Sequence, residues 1–421
     1  MLIRSKAPKL SFNPSINEIG YDSYSLNNNI PLYSILNKTY EVCGVEIVFG
    51  GGKIDERING ASFFSTNLLR SGIKGLNSND INIFFEQRGA FVQFQSGLDY
   101  NTFSLYCISD KLKEILPLFL RLFNEPIFPE EKLTQLANKK AQEFDINQQK
   151  PTYWSSKLLK EALFKSHPYG HVLSKEDIKS ITSSDLKNHW TSTALSQIKF
   201  ITAAGNFNVE FLKSIIQDNL SFHQNKQTSK TDELRLPTKK TLVKKTLKNS
   251  QQTSLKIGFQ TTSFLSPNHP ALSLGNTILG GYFGSRFMQS IREDKGLTYG
   301  IGSSIQHLRE SSYIQISADI KTGAGNEVIE LINVELDKIH NNSIAKEELD
   351  KVKNYLIGEY KSSSQTIFDK INKIKFLKIH NLSDSYFANY FDTILSTESK
   401  HVQEVLKKHY NPSLFKTVLV E

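Results

Sequence analysis

The sequence predicts an α+β protein of two homologous domains. Each would be an antiparallel sheet packed against helices, and together they would form a half-clam facing a shared cleft. Three observations carry that expectation. A length of 421 residues exceeds what one hydrophobic core usually serves. Runs that alternate apolar and polar residues are interleaved with runs of helical period. The order of those runs in the first half recurs in the second. The expected domains are 1–220 and 241–421, with 221–240 (SFHQNKQTSKTDELRLPTKK) as the linker, since that stretch has few apolar groups and many Ser, Thr, Lys and Gln.

Residues 1–30 are polar, rich in Ser, Asn and Pro, and read as an arm or edge segment. Strands follow at Pro31 to Leu36 and Val45 to Phe49, ended by Gly50-Gly51-Gly52. A helix is expected from about Gly60, with Phe64, Leu68 and Leu69 on one face. After a polar break (Ser71 to Asn79) come a short helix with Ile81 and Phe85, then strands Phe91 to Gln95 and Thr102 to Ile108. A long helix carries Leu112, Ile115, Leu116, Phe119 and Leu122 until Pro126 and Pro129 stop it. Glu131 to about Asn147 reads as helix, 185–190 starts another, Ile198 to Ala204 is a strand, and a helix with Phe211, Ile215 and Ile216 closes the half. In the second half, Thr253 to Gln260 repeats the strand at 45–49, and His269 to Gln289 repeats the helix from Gly60 with a glycine interruption. Tyr299 to Gln306 and Tyr313 to Asp319 repeat the strand pair, Gly323 to Ile339 the long helix, Glu347 onward the segment from Glu130, and Lys416 to Val420 the last strand.

Composition narrows the function classes. Apolar residues make up 38% and charged residues 22%, which suits a folded core in water, and no apolar run approaches the ~20 residues of a bilayer span, so membrane insertion is not expected. The N-terminal residues MLIRSKAPKLSF carry early positive charge without an apolar stretch behind it. A cytoplasmic location is therefore expected. Organelle import is the alternative, since Glu18 is the only acid before Asp22, although Pro8, Asn13 and Pro14 break any amphipathic helix there. Cys43 and Cys107 sit in strand-like apolar runs and read as buried free thiols. The net charge of +9 is scattered; its densest stretch, Lys239, Lys240, Lys244, Lys245 and Lys248, is interrupted by Thr, Leu and Val. That argues against nucleic acid and allows a weak preference for acidic peptides.

Two places could carry chemistry. On the helix opening Gly60-Ala61-Ser62-Phe63-Phe64-Ser65-Thr66, Ser62 and Thr66 are four apart and share a face. Neutral hydroxyls bring neither charge nor imidazole, so they make a poor zinc site, and a structural role is the alternative. The second place runs from Gly280-Gly281-Tyr282-Phe283-Gly284-Ser285-Arg286 to Arg292-Glu293-Asp294-Lys295-Gly296-Leu297-Thr298-Tyr299. Its glycines lack both the P-loop and the dinucleotide spacing and read as close-packing positions. Arg292 ends a helix and Tyr299 begins a strand, seven residues apart across the turn at Gly296. Such a pair can donate hydrogen bonds to a peptide carbonyl or an oxyanion, or be a surface arginine and a core-edge tyrosine.

These two places carry a family resemblance over nearly the whole length. The chain resembles the insulinase/pitrilysin-like zinc peptidases, on the branch that includes the mitochondrial processing peptidase. The block from Ser285-Arg286-Phe287 through Arg292-Glu293 to Gly296-Leu297-Thr298-Tyr299 matches that family, as does His167-Pro168-Tyr169-Gly170 ahead of Ile178, Ile181-Thr182 and Asp185-Leu186. Gly205-Asn206 falls where the family ends the last strand of its N-terminal domain. The zinc motif, H-x-x-E-H in the family, departs. Ser62 stands at the first metal histidine, Ser65 at the catalytic glutamate and Thr66 at the second histidine, while Glu143 fits the slot of the third ligand. One carboxylate does not hold zinc, and without a general base no water is activated. His167 and His171 offer no rescue, because Pro168 and Gly170 deny them a helix.

In that branch, subunits lacking the metal motif pair with subunits that have it. The resemblance therefore implies no metal or cofactor in this chain, zinc in a partner subunit bearing H-x-x-E-H, and a peptide substrate. Arg292 and Tyr299 would then reach into the partner's site. A scaffold with no part in proteolysis, as in respiratory-complex core subunits of this fold, is the second expectation. A hydrolase using Ser62 or Ser65 is the third, weakened because neither serine lies in a G-x-S-x-G elbow.

Overall fold

In the computed structural model of the chain, residues 15–220, 234–248 and 250–421 are described. The first half contains β1 (Asp22–Ser25), β2 (Pro31–Leu36), β3 (Val42–Phe49), α1 (Ala61–Leu68) and the small hairpin β4 (Gly72–Ile73) with β5 (Leu76–Asn77). It continues with α2 (Ser78–Glu86), β6 (Phe91–Ser96), β7 (Asn101–Ile108), α3 (Leu112–Asn124), α4 (Glu130–Asn147) and α5 (Pro151–Phe164). It ends with α6 (Lys175–Ser180), α7 (Ser183–His189), β8 (Ile198–Gly205) and α8 (Val209–Asn219). The second half has β9 (Thr241–Lys245), β10 (Gln252–Gln260), α9 (His269–Asn276), β11 (Thr298–His307), β12 (Ser312–Lys321) and α10 (Gly325–Asn341). It closes with α11 (Lys346–Ser362), α12 (Ile367–Ile379), α13 (Tyr386–Ser396), α14 (Ser399–His409) and β13 (Lys416–Val420).

The duplication is visible in the strand order. The first sheet runs β1-β2-β8-β3-β7-β6 and the second, read the same way, β9-β13-β10-β12-β11. Thus β2 corresponds to β9, β8 to β13, β3 to β10, β7 to β12 and β6 to β11. The sheets are antiparallel apart from one pairing in each, β2 with β8 and β9 with β13, which are parallel. That corrects the all-antiparallel expectation. It follows from the topology: each parallel pair joins the last strand of its half to an early one, the second strand in the first half and the first strand in the second, so a long connection containing helices separates them.

One face of each sheet carries its own core. Val45, Ile47 and Phe49 of β3 pack with Phe64 of α1, Phe119 and Phe123 of α3 and Trp190. Leu255, Ile257 and Phe259 of β10 pack with Leu272 and Leu274 of α9, Val328 and Ile332 of α10 and Leu406 of α14. The other face of each sheet is covered by a helix from the opposite half. Leu159 and Leu163 of α5 pack with Val418 and Val420 of the second sheet. Ile371 and Ile374 of α12 pack near Ala204 and Ile35 of the first. The exchange depends on close approach to a glycine on each central strand. A Cβ on Gly258 would lie 2.8 Å from Leu163 Cδ1, and one on Gly44 would lie 2.7 Å from the Tyr106 ring and 3.3 Å from Phe368 of α12. Burying each of these leucines contributes about 1.5–3 kcal/mol, so the two halves are held by apolar seams as well as by the chain.

The expected helix His269 to Gln289 is broken. α9 ends at Asn276, a wide turn covers Thr277–Gly281, Tyr282 is extended (φ −152°), and a second wide turn covers Met288–Glu293. Of the expected linker, 221–233 lies outside the described residues. Its end is packed: Leu236 is buried and its N–H donates to Gln260 Oε1 at 3.0 Å. Among the described residues no helix is long and apolar enough to cross a membrane.

Candidate functional site

α1 starts where Gly60 takes φ 89°, a left-handed conformation that favours glycine. With no side chain at that position to cap the helix, Glu56 supplies the acceptor. Its carboxylate receives the N–H of Gly60 at 3.1 Å and of Ser62 at 2.8 Å. Burial raises the Glu56 pKa above the ordinary carboxylate value, against the lowering effect of those backbone hydrogen bonds.

The three motif positions are brought together and sealed. Ser62, Ser65 and Thr66 are each 0% exposed. Ser62 Oγ lies 3.0 Å from Ser96 Oγ on β6 and donates to Asn101 Oδ1 on β7 at 3.1 Å. Asn101 in turn donates to the Gly51 carbonyl at 2.8 Å, and His189 Nε2 lies 2.8 Å from that same oxygen. Ser65 Oγ returns to the Ser62 carbonyl at 3.3 Å. Thr66 Oγ1 has no hydrogen-bond partner among the described residues. Glu143 is on α4, which packs beside α1, yet its side chain is 43% exposed and lies 3.0 Å from Lys140 Nζ. Lys140 itself stands over the Phe63 ring at 4.6 Å.

The zinc of the family that the chain resembles does not fit these residues. The donors on α1 are neutral hydroxyls, two of them engaged with protein groups, and Glu143 is held by a lysine. Among the described residues no three His, Cys, Asp or Glu side chains are grouped to hold a metal ion. His167 and His171 diverge: His167 Nε2 lies 3.1 Å from Glu310 Oε2 and His171 Nε2 lies 3.1 Å from Asp177 Oδ2.

The second place has the opposite character. Gly280 packs tightly, since a Cβ there would lie 2.8 Å from Ser303 of β11, which accounts for the glycine without a ligand. Arg286 is fixed by two bonds to Glu348 of α11, at 2.9 and 2.7 Å. Arg292 has no such anchor. Its guanidinium stands 4.8 Å from the ring centre of Phe283, itself 65% exposed, and it forms no ion pair among the described residues. The turn back to the sheet closes with Gly296 N–H to the Arg292 carbonyl (3.0 Å) and Leu297 N–H to the Ile291 carbonyl (3.1 Å), with Gly296 at φ 63°. Tyr299 follows on β11, an edge strand, where the register slips between Thr298 and Ile301, and it is 89% exposed. No hydrogen bond or ion pair among the described residues ties Arg292 or Tyr299 to α1.

Sequence reasoning misses the groups that lock the two halves together. The turn between β11 and β12 carries Arg309, which reaches Asp55 at 3.0 Å, and Glu310, which reaches His167. Asp99 accepts the Tyr169 hydroxyl at 2.5 Å and the Arg309 N–H at 2.9 Å. Burial raises both the Asp99 and the Tyr169 pKa. The segment His167-Pro168-Tyr169-Gly170 is thus an inter-half clasp. The adjacent charges Arg309-Glu310, breaking off an alternating strand, are the signal that could have pointed to it.

Comparison with known proteins agrees with this geometry. Residues 33–177 match the family model for insulinase (peptidase family M16), and residues 180–356 match that for the peptidase M16 inactive domain. A Bacillus subtilis protein named uncharacterized zinc protease YmxG is 22% identical over 354 residues, 83% of this chain and 86% of that one. A Helicobacter pylori protein named non-peptidase homolog YmxG is 20% identical over 370 residues, 86% of this chain and 84% of that one. The crystal structure of a peptidase M16 inactive domain from Pseudomonas fluorescens superposes with a TM-score of 0.85 at 24% identity, covering 95% of this chain and 98% of that one. The chain belongs to the insulinase-like M16 peptidase family, as a degenerate member without the H-x-x-E-H motif.

Proposed function

We propose that this chain is the non-catalytic partner subunit of a heterodimeric zinc metallopeptidase. In this reading it binds peptide and supports the transition state through Arg292 and Tyr299. One observation carries the reading: the motif helix is filled with buried hydroxyls, while Tyr299 stands exposed on the edge strand β11 and half-buried Arg292, on the turn before it, lies over the Phe283 ring without an ion pair among the described residues. A relative named a non-peptidase homolog lends support. In the complex, zinc sits in the partner's H-x-x-E-H site and supplies the Lewis acid and the activated water. This chain's part is positional. The Tyr299 hydroxyl and the Arg292 guanidinium donate hydrogen bonds to the scissile carbonyl or to the charge that develops on it. The test is to copurify the chain with an H-x-x-E-H subunit and measure peptide turnover. R292A and Y299F are each expected to lower kcat/KM about 10²–10³-fold. Turnover by the partner that is indifferent to this chain and to both substitutions overturns the reading.

A further inference from the structure

The two inter-half seams are built alike but charged differently. On β3, Glu46 pairs in register with Ser104 of β7 and faces α12. Its charge is balanced: Lys375 of α12 lies 2.7 Å from Oε1, and the Ser104 hydroxyl donates to Oε2 at 2.5 Å. The corresponding place on β10 holds Lys256, in register with Ser317 of β12. The helix over it is α5, joined to β10 by the Ser155–Ser254 hydroxyl contact at 2.9 Å and by Leu159 and Leu163 against Gly258. α5 brings Lys160 to this seam, where α12 brings the partner of an acid to the other.

A third cation completes the cluster. Lys53, just ahead of the α1 cap Glu56, donates to the carbonyl of His171, and the neighbouring Gly170 backs onto the Lys160 carbonyl, 3.2 Å from where a Cβ would be. Lys256 finds only the Ser317 hydroxyl at 3.4 Å, and Lys160 has no hydrogen bond or ion pair among the described residues. The nearby acids are engaged or exposed. Glu56 caps α1, Asp177 is held by Ser174, Asn59 and His171, and Asp319 is exposed on β12. Burial lowers the pKa of all three lysines, that of Lys53 to about 8, and Lys160 adds to the lowering at both Lys53 and Lys256. Each lysine is nonetheless partly open to solvent. Three half-buried cations that form no ion pair among the described residues, at the place where the sister seam has one, make a site for an anion.

We propose that Lys53, Lys160 and Lys256 form a carboxylate-binding site at the seam between the halves, so that the peptides this chain holds are acidic. The inference rests on the peptide-binding reading above and names its substrate class. The full chain, without any zinc-bearing partner, is titrated against a fluorescent extended peptide rich in Glu and against the same peptide with Gln for Glu. Inorganic phosphate is the competing anion. The Glu peptide is expected to bind at least tenfold more tightly than the Gln peptide, and K160Q/K256Q to lose about a hundredfold in affinity. K346Q, at an exposed lysine, leaves affinity unchanged. Both seam substitutions relieve like-charge repulsion, so the double variant melts at or above the parent temperature and misfolding does not explain its loss of binding. Equal affinity for the two peptides, parent affinity in K160Q/K256Q, or phosphate binding without binding of the Glu peptide overturns the proposal. Because no zinc subunit is present, failure here is separate from a failure of Arg292 and Tyr299 to assist turnover.

Discussion

The helix at residues 61–68 and the segment at 283–299 are the two places where the residue pattern points to chemistry, and their surroundings are opposite. On α1 every polar side chain of the degenerate motif is fully buried, and Ser62 and Ser65 are turned toward the protein's own polar groups. At the start of β11, Tyr299 is almost fully exposed and Arg292 has an aromatic ring beneath it and no counterion among the described residues. A group that acts on a peptide must be reachable, and a group sealed at no exposure can only serve the fold. The difference teaches that the polar groups of α1 are part of the core, while those at the start of β11 are left where another molecule can reach them.

The strongest challenge to this contrast is to rebuild the lost motif. S62H/S65E/T66H places two imidazoles and a carboxylate where three small side chains are now enclosed. Overpacking costs about 1–3 kcal/mol at each site, and the new carboxylate has no paired cation there. The triple variant is expected to melt lower by about 10 °C or more, or not to fold at all, and to bind no stoichiometric zinc. Thermal unfolding and metal content of the purified variant check this. A folded variant with one zinc per chain shows instead that the site was only dormant.

The same contrast explains which features are legible in the amino-acid sequence alone. The strands are legible because they alternate: Phe91 to Gln95 and Tyr313 to Asp319 fall within β6 and β12. The repeated order of elements reveals two sheets. β9 escapes because its run, Thr-Leu-Val-Lys-Lys, sits at a sheet edge beside basic residues and buries little. α5 and α12 escape because their apolar faces answer to the opposite half of the chain, which no local window contains. Counting residues places Glu143 in the third-ligand slot, but no count shows that its carboxylate turns to Lys140. The clasp joins Asp55 to Arg309 and His167 to Glu310, pairs 254 and 143 residues apart, so only tertiary structure reveals it.

A smaller effect probes the interior of α1 alone. Thr66 Oγ1 is buried without a partner among the described residues, so it carries a desolvation cost with no compensating bond from them. T66V keeps the shape and removes the orphan group. It is expected to gain about 1 kcal/mol, raising the melting temperature by about 2–4 °C. S62A should do the reverse by a similar amount, since it strips a donor from Asn101 Oδ1. If T66V destabilises, the hydroxyl has a partner in solution, and the picture of α1 as dry core is wrong.

The smallest expected effect is the most discriminating. R292A and Y299F should leave unfolding free energy within about 0.5 kcal/mol of the parent, measured by urea titration of the isolated chain. Y299F removes only a hydroxyl from a ring already in water. R292A removes a guanidinium whose contact with Phe283 is at an exposed site, where such a pair contributes about 0.5–1 kcal/mol at most. A loss of about 2 kcal/mol or more, the size of a lost buried interaction, would make Arg292 a prop for the turn at Gly296. Its lack of an ion pair among the described residues would then say nothing about an external peptide, and reduced turnover in a complex would be explained by damage to the fold. Near-zero stability change joined to a large loss of turnover is the combination that a structural role cannot produce, because a structural residue acts on the chain before it acts on anything bound to it.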